Sequence, residues 1–233
     1  MPCDVAVFIR IMTIFIDIDD TLLDFNKCAD KAIEEGCAKL GVPFSRTLVD
    51  TFHPINLDLW HKLERGEVSK DKLFDTRFQI VFDKLGIQAD GIAFEKEFRA
   101  SFHESAIVID GARETLEYLH SRYPVYAASN ASLHQQTHRV KKAGLDAYID
   151  GYFVSEELGF PKPQKEFFDA CFKRLPGVNP QETVMIGDSL SADIKGAREY
   201  GLKTVWYNHR REPSAHVECD FIVERLLDIK NIL

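Results

Sequence analysis

The sequence is poor in basic residues relative to acidic ones. It has 29 Lys and Arg against 37 Asp and Glu, which gives a formal net charge of −8. Nucleic-acid binding rests on basic neutralisation of phosphates, and the chain has no basic run or stripe that would supply it. We therefore expect no nucleic-acid polymer among its partners.

Cysteine is also sparse. The five cysteines are scattered, odd in number and never form a Cys-x-x-Cys motif. This usage indicates reduced thiols, as in a cytoplasmic protein. Cys37 and Cys171 fall on predicted apolar helix faces, which favours core packing over chemistry.

Long hydrophobic runs are missing as well. The apolar opening from residue 5 to residue 18 is interrupted by Arg10 and Asp17 and is too short to span a bilayer. It has no basic leader and no clear small-residue cleavage site. We expect a cytoplasmic protein without membrane association. Residues 1–11 precede Met12 and are expected to be an extension whose deletion leaves activity intact.

The 233 residues suit one domain carrying an insertion, and 45% hydrophobic with 28% charged residues is typical of a globular protein. From Ile107 onward, strand and helix patterns alternate, which predicts a parallel sheet with helices on both faces. The predicted strands are residues 14–16, 125–128, 152–154, 183–186, 204–206 and 221–223, with a terminal helix after the last.

The block after the first strand is different, because it shows apolar stripes at helical spacing and no strands. One stripe ends at Gly41, a looser segment runs through Pro54 to residue 63, and further helices follow Ser69 and extend to about His103. We therefore predict an α/β fold: a Rossmann-like, doubly wound parallel sheet (residues 1–24 and 106–233) with an inserted all-helical cap (residues 25–105). The hinges are expected near residues 24–25 and 105–106.

Two carboxylates follow the first predicted strand. Side chains in extended backbone repeat every two residues, so Asp17 and Asp19 point the same way. Their mutual repulsion is relieved by a divalent cation, and Mg²⁺ prefers such hard oxygen ligands. A solvated acidic turn is the alternative for this pair taken alone.

Other predicted strands also end in polar residues. Ser129 and Asn130 follow the strand at 125–128, and Asp188 follows the strand at 183–186. Lys162 lies on the loop after the strand at 152–154. In open parallel sheets, ligands bind beyond the carboxyl ends of the strands. Carboxylates for a metal, one nucleophile and donors for phosphate oxygens together predict a phosphoryl-transfer site.

With these residues the sequence resembles the haloacid dehalogenase-like hydrolases. Residues 17–21 (DIDDT) match the first family motif and Ser129 the second. Lys162, between two prolines, matches the third, and residues 187–193 (GDSLSAD) match the fourth. Four motifs in order at strand ends are far more specific than any one alone.

The resemblance implies a Mg²⁺-dependent reaction with defined roles. Asp17 would be the nucleophile that forms an aspartyl-phosphate, and Asp19 the acid and base. Asp17 and Asp188 would ligate the metal directly, and Asp19 would contribute its backbone carbonyl. Asp193 would support the metal site and Lys162 from slightly further out. The implied phosphate-binding groups are Ser129, the Asn130 amide and Lys162. Asp20 is expected to be structural.

The family also includes dehalogenases, phosphonatases and mutases. Asp19 favours phosphate esters, because a leaving alkoxide needs a proton whereas a halide does not. A sugar-phosphate or phosphoglycolate phosphatase, a mutase of the β-phosphoglucomutase kind and a catalytically silent binding protein on the same scaffold remain alternatives.

Within the phosphatases, residues 17–22, 64–69 with 76–78, and 162–168 look like the pyrimidine 5'-nucleotidase branch. This resemblance implies hydrolysis of a small phosphorylated metabolite, a nucleoside monophosphate. We expect the protein to be a monomer or homodimer. Cap aromatics such as Phe52, Trp60 and Phe78 could stack on a base, with packing in the cap as the alternative. His134 and His138, four apart on a predicted helix, are interpreted as a surface pair.

Overall fold

The computed structural model describes residues 13–233. Six parallel strands form one sheet in the order β3-β2-β1-β4-β5-β6. The strands are β1 Thr13–Ile16, β2 Val125–Ser129, β3 Gly151–Val154, β4 Thr183–Gly187, β5 Lys203–Tyr207 and β6 Phe221–Val223. This confirms the predicted doubly wound α/β fold and its six strands. The order reverses beside β1, which is the switch point where such sheets bind ligands.

Nine α-helices lie in the part of the chain that the structure describes. They are α1 Phe25–Leu40, α2 Arg46–Glu64, α3 Lys70–Leu85, α4 Gly91–His103, α5 Ala112–His120, α6 Leu133–Lys142, α7 Ser155–Leu158, α8 Lys165–Arg174 and α9 Gly196–Tyr200. A π-helical segment, Leu190–Lys195, leads into α9. The expected terminal helix is a short 3₁₀ segment, Leu226–Asn231.

Strand β1 is buried on both faces. Ile14 and Ile16 pack into a cluster with α5, α6 and the C-terminal segment, whereas Phe15 packs into a second cluster with α8 and α9. This division follows from the alternation of side chains along a strand. Helices on both faces keep water away from the sheet and leave its ends accessible.

Helices α1 to α4 share a separate hydrophobic cluster rich in phenylalanine. Phe52 and Phe78 are fully buried in it, with ring centroids 5.0 Å apart. These two rings therefore pack within the cap and do not reach a ligand. Ser69 begins α3 as predicted, since its side chain accepts a hydrogen bond from the amide of Lys72.

Helix α2 differs from the expected looser segment. It runs continuously for 19 residues with Pro54 inside it. Proline in a helix interior costs about 3 kcal/mol. The buried apolar face of α2 offsets this cost, and its members include Leu48, Val49 and Leu59.

Two chain segments join these four helices to the rest of the molecule, and they run side by side. Asp24 donates its amide to the carbonyl of Ile107 at 2.8 Å, and Ile109 donates to Leu22 at 3.0 Å. The cap boundaries at residues 24–25 and 105–106 stay a prediction. Residues 1–11 and Met12 lie outside the described residues. Among the described helices, none is long and apolar enough to cross a membrane.

Candidate active site

The carboxyl ends of β1, β2 and β4 meet at one edge of the sheet. Asp17 follows β1, Ser129 ends β2, and Asp188 follows β4. The amide of Asp17 donates to the carbonyl of Ile186 on β4 at 2.9 Å, which fixes where the chain leaves the sheet. Above this edge, the cap helices enclose a cleft of about 580 Å³.

All seven side chains predicted for the site line this cleft. They are Asp17, Asp19, Ser129, Asn130, Lys162, Asp188 and Asp193. These residues are spread along the sequence from Asp17 to Asp193, so only the folding of the chain brings them together. Their roles stay predictions.

Lys162 lies at the centre of this set and is almost completely buried. Its ammonium donates to Asp17 Oδ1 at 2.7 Å, Asp193 Oδ1 at 2.6 Å and the carbonyl of Ala128 at 2.6 Å. Burial alone would lower the pKa of Lys162, but the carboxylates of Asp17 and Asp193 outweigh it and raise the pKa above its ordinary value. Lys162 is therefore a fixed positive charge beside two carboxylates.

Asn130 holds the backbone of Lys162 in place. The amide of Lys162 donates to Asn130 Oδ1 at 2.8 Å, and Asn130 Nδ2 donates to the carbonyl of Lys162 at 2.9 Å. This pair of bonds ties the end of β2 to the loop that carries the lysine. The Asn130 side chain thus supports Lys162, a function distinct from the predicted use of the Asn130 backbone amide.

Asp17, Asp188 and Asp193 form a carboxylate cluster, with one oxygen of each lying within 4.8 Å of the others. Burial, followed by the nearby charges of Asp193 and Asp19, raises the pKa of Asp17 to about 8 against the opposing effect of Lys162. Burial and neighbouring carboxylates also raise the pKa of Asp188 well above its ordinary value. These residues fit a divalent cation, because hard oxygen ligands suit Mg²⁺ and a cation would relieve the repulsion.

Gly187 is required by the position of Asp193. Asp193 lies in the π-helical segment, and its Oδ2 accepts a hydrogen bond from the amide of Ser189 at 3.1 Å. A Cβ atom on Gly187 would collide with the carboxylate of Asp193. Glycine at the end of β4 therefore lets the carboxylate of Asp193 approach the sheet.

The carboxylate of Asp19 points to α6. Its Oδ1 accepts from Arg139 Nη1 at 2.6 Å, and its Oδ2 accepts from Gln136 Nε2 at 2.7 Å. The same Gln136 amide donates to Ser129 Oγ at 2.9 Å. Asp19 is thus placed beside the carboxylate cluster, and the predicted contribution of its backbone carbonyl stays a prediction.

Gln136 and Arg139 were missed by the sequence analysis. Both are fully buried, although glutamine and arginine in a helix normally face solvent. Their signal was their spacing, since they are three residues apart and lie on one face of α6, just after Ser129.

Asp20 has a structural position, as expected. Its backbone adopts a left-handed conformation with φ of 58°, and its carboxylate accepts from the amide of Phe25 at 2.9 Å. Arg210 contacts both Asp20 and Asp188. This arginine, also missed by the sequence analysis, adds positive charge to the core side of the cleft.

Cap residues form the opposite wall. Trp60 and Phe74 line the cleft with ring centroids 6.3 Å apart, and the guanidinium of Arg99 lies 4.7 Å from the Phe74 ring. Lys70 donates to the carbonyl of Asn130 at 2.9 Å, which connects the cap to the end of β2. The wall therefore combines half-buried aromatic side chains with positive charge.

A buried polar network supports this wall from behind. Arg77 forms two 2.7 Å hydrogen bonds with Glu95 and a third, of 2.8 Å, with Asn56. The guanidinium also lies 5.1 Å from the centre of the Phe74 ring. Paired charges inside the cap fix the helices that carry Phe74 and Trp60.

Comparison with known proteins agrees with this geometry. The model of the haloacid dehalogenase-like hydrolase family matches residues 11–201. The HAD-hydrolase YfnB of Bacillus subtilis is 33% identical over 225 residues, which are 96% of each chain. Its crystal structure, bound to magnesium, matches with a TM-score of 0.91 over 96% of this chain and 99% of that chain.

Two further relatives have named activities. The pyrimidine 5'-nucleotidase PynA of Streptococcus pneumoniae is 34% identical over 227 residues, 94% of this chain and 96% of PynA. The glyceraldehyde 3-phosphate phosphatase of Pyrococcus furiosus is 26% identical over 232 residues, 96% of this chain and 93% of that protein.

Proposed function

Because the chain belongs to the haloacid dehalogenase-like hydrolase family, we propose that it is a Mg²⁺-dependent phosphomonoesterase that hydrolyses pyrimidine nucleoside monophosphates. The observation that carries this proposal is the convergence of Asp17, Lys162, Asp188 and Asp193 at one end of the sheet. A buried carboxylate beside an ammonium and two further carboxylates suits attack on a phosphate ester, whose negative charge needs local compensation.

In the first step, an oxygen of Asp17 attacks phosphorus and the bond from phosphorus to the ester oxygen breaks. Asp19 gives its proton to that leaving oxygen, so an alcohol departs and an aspartyl-phosphate remains on Asp17. In the second step, Asp19 takes a proton from water, the water oxygen attacks phosphorus, and the bond to Asp17 breaks. Inorganic phosphate leaves and Asp17 is restored.

Other groups keep the reacting atoms in place. Lys162, Ser129 Oγ and the backbone amide of Asn130 hold the phosphoryl oxygens. Bound by Asp17, Asp188, Asp193 and the Asp19 carbonyl, Mg²⁺ would supply positive charge that favours ionised Asp17 and the transferring phosphoryl group. Burial raises the pKa of Asp17 to about 8, which favours its protonated form at neutral pH. The nucleophile must be a carboxylate, so the raised pKa supports a requirement for a cation at this site.

The cap wall supports a nucleotide as the substrate. Trp60 offers a half-buried aromatic ring to a base, the guanidinium of Arg99 over Phe74 adds a cation, and a cleft of about 580 Å³ has room for a ligand of that size. The named activity of PynA supports the same class. A small sugar phosphate is the second candidate, supported by the Pyrococcus furiosus relative.

We also propose a cytoplasmic monomer or homodimer. The described cysteines Cys28, Cys37, Cys171 and Cys219 are free thiols, which supports a reducing compartment.

The test is phosphate release from UMP, dUMP, dTMP, glyceraldehyde 3-phosphate, phosphoglycolate and p-nitrophenyl phosphate, with Mg²⁺ and with a chelator. We expect Mg²⁺-dependent hydrolysis, with the highest kcat/KM for the pyrimidine nucleotides. Asp17→Asn should abolish turnover and retain the fold, whereas Asp169→Asn, on an exposed face of α8, should be as active as the parent.

The results separate the levels of the proposal. Preference for a sugar phosphate would refute the nucleotidase assignment and spare the phosphatase. Normal turnover by Asp17→Asn would refute the assigned nucleophile. Absence of hydrolysis of every ester would refute the phosphatase itself.

A further inference from the structure

Three imidazoles and a carboxylate meet where the last cap helix ends against the core. His103 is the final residue of α4 and Glu104 follows it, while His134 and His138 lie one turn apart on α6. The ring centroids of His103 and His138 are 4.1 Å apart, and those of His103 and His134 are 4.7 Å apart. The cluster does not belong to the wall of the active-site cleft described above.

The potential ligand atoms converge. One atom each from His103, Glu104 and His138 lies within 4.8 Å of the others. Glu104 Oε1 lies 3.1 Å from His138 Nε2, whereas Glu104 Oε2 lies 2.7 Å from Lys142 Nζ. The two oxygens thus face different partners, so Oε1 can bind a cation while Oε2 keeps its lysine.

His138 Nε2 is a buried atom that lacks a well-directed hydrogen bond within residues 13–233. The His138 side chain is still 37% exposed, so an ion can enter from solvent. His134 and His138 lie at the surface, as the sequence analysis interpreted them, and His138 in addition converges with His103 and Glu104 at the end of the cap.

We propose that His103, Glu104 and His138 form a second metal site, for a transition-metal ion of the Zn²⁺ class, with His134 beside them as a further imidazole. Imidazole and carboxylate ligands suit such ions, whereas the all-carboxylate cluster of the active site suits Mg²⁺. The ligands come from α4 of the cap and α6 of the core. The bound ion therefore clamps the cap to the core.

The clamp has a functional consequence that rests on the proposed function. Ligands enter the cleft between the cap and the sheet, and such enzymes depend on movement of the cap for entry and release. An ion that ties α4 to α6 restrains this movement, so it slows turnover without touching the reacting atoms.

Binding is tested on the full chain in excess Mg²⁺, which occupies the carboxylate cluster. We expect one equivalent of Co²⁺ to give the visible absorption of a low-coordinate site, and Zn²⁺ to displace it. X-ray absorption of the Zn²⁺ form should show scattering from imidazole rings. His103→Gln and His138→Gln should each weaken Co²⁺ binding. The expected loss of affinity is more than the about 10-fold that follows removal of a residue that only hydrogen-bonds to a metal ligand.

The matched control is His120→Gln, which removes a histidine beside Asp150, in another part of the core. It should bind like the parent. Equal binding by the parent, His103→Gln and His138→Gln would overturn the site, as would the absence of a single Co²⁺ equivalent in the parent.

The clamp is tested by phosphate release in excess Mg²⁺. Zn²⁺ should slow the parent and His120→Gln more than His138→Gln. Equal inhibition of all three proteins would overturn the clamp. Because the Co²⁺ titration requires no turnover, failure of the proposed phosphatase activity is distinguishable from failure of the metal site.

Discussion

The guanidinium of Arg139 connects Asp19 to the segment where the cap joins the core. Its Nη1 donates to Asp19 Oδ1 at 2.6 Å, and its Nε donates to the carbonyl of Ser105 at 2.9 Å. The same group lies 4.1 Å from the ring centre of Phe102 at the end of α4. The proposed acid–base residue and the end of the cap thus share one buried cation.

Arg139→Met should therefore impair catalysis more than binding. Asp19 would lose its fixed orientation, and part of the about 10²–10⁴-fold supplied by a positioned acid–base group would be lost. We expect kcat to fall about 10-fold or more with a smaller change in KM, and the pH profile of kcat to shift. Steady-state kinetics across pH is the measurement.

The control for this variant is Arg122→Met, since Arg122 is an exposed arginine that lies over Tyr118. Loss of a buried charged partner can also cost about 3–5 kcal/mol of stability. Gln136→Leu, which removes the second donor to Asp19 without removing a charge, is therefore a milder companion. An unchanged kcat in both folded variants would mean that α6 does not position Asp19.

Gly187→Ala should disturb the metal site. The added methyl group must displace the carboxylate of Asp193, which is bonded to Lys162. We expect a weaker Mg²⁺ dependence and a lower kcat, measured by titrating Mg²⁺ against phosphate release. Gly177→Ala, at a φ of 87° in a turn that does not line the cleft, costs stability without touching the carboxylates and is the control for a general loss of stability. Parent-like Mg²⁺ activation of Gly187→Ala would contradict the proposed role of Asp193.

Stability should depend on pH in a defined direction when Mg²⁺ is removed. The pKa of Asp17 is about 8 in the folded protein, above the 3.8 of an ordinary aspartate, so its contribution to stability is complete below about pH 4. That contribution disappears as the pH rises toward 8. Mg²⁺ at the proposed site would bind the ionised carboxylates, so its stabilising effect should grow over the same range.

The measurement is Tm with and without Mg²⁺ from about pH 5 to pH 8. The difference between the two should increase with pH in the parent and much less in Asp188→Asn, which has lost one carboxylate of the cluster. A Mg²⁺ effect independent of pH would argue against Asp17 and Asp188 as ligands.

Trp60→Ala should separate the two candidate substrate classes. Stacking of a base on an aromatic side chain contributes about 1–3 kcal/mol. We therefore expect kcat/KM for UMP to fall about 10-fold, while that for glyceraldehyde 3-phosphate stays nearly unchanged. Phe44→Ala removes an exposed cap aromatic that does not line the cleft and is the matched control. Equal losses on both substrates would exclude base stacking on Trp60.

Arg77→Met should destabilise the cap. It leaves the buried carboxylate of Glu95 without its two bonds from the guanidinium, and removing one partner of a buried pair costs about 3–5 kcal/mol. Urea unfolding measures the loss. Adding Glu95→Gln should recover part of it, because the uncompensated charge is then gone. A double variant no more stable than Arg77→Met would point to packing of the arginine instead.

The sequence predicted the sheet because its strands are short, apolar and separated by clear helical patterns. Strand β1 was assigned from its short apolar run, and the site residues were assigned from their positions at strand ends and from the family motifs. All seven predicted site residues line one cleft. Apolar periodicity and polar residues at strand ends are local features of the sequence, so they can be identified without a structure.

The remaining features depend on tertiary packing. Helix α2 was missed because proline normally ends a helix, yet its apolar face keeps the chain helical through Pro54. Arg139 and Arg210 were missed because nothing near them in sequence shows that carboxylates more than a hundred residues away will be their partners. Phe52 and Phe78 illustrate the same limit, since the sequence cannot distinguish an aromatic in the cap interior from one facing a ligand.

The three hydrogen bonds of Lys162 have a consequence for how the enzyme treats anions. Its ammonium has no spare proton, because Asp17, Asp193 and the carbonyl of Ala128 each accept one. An arriving phosphoryl oxygen must replace one of these acceptors as a hydrogen-bond partner of the ammonium. The net gain in free energy is then only the difference between two similar hydrogen bonds. Partner exchange of this kind disfavours tight retention of inorganic phosphate, so the lysine proposed to hold the substrate would also allow the product to leave.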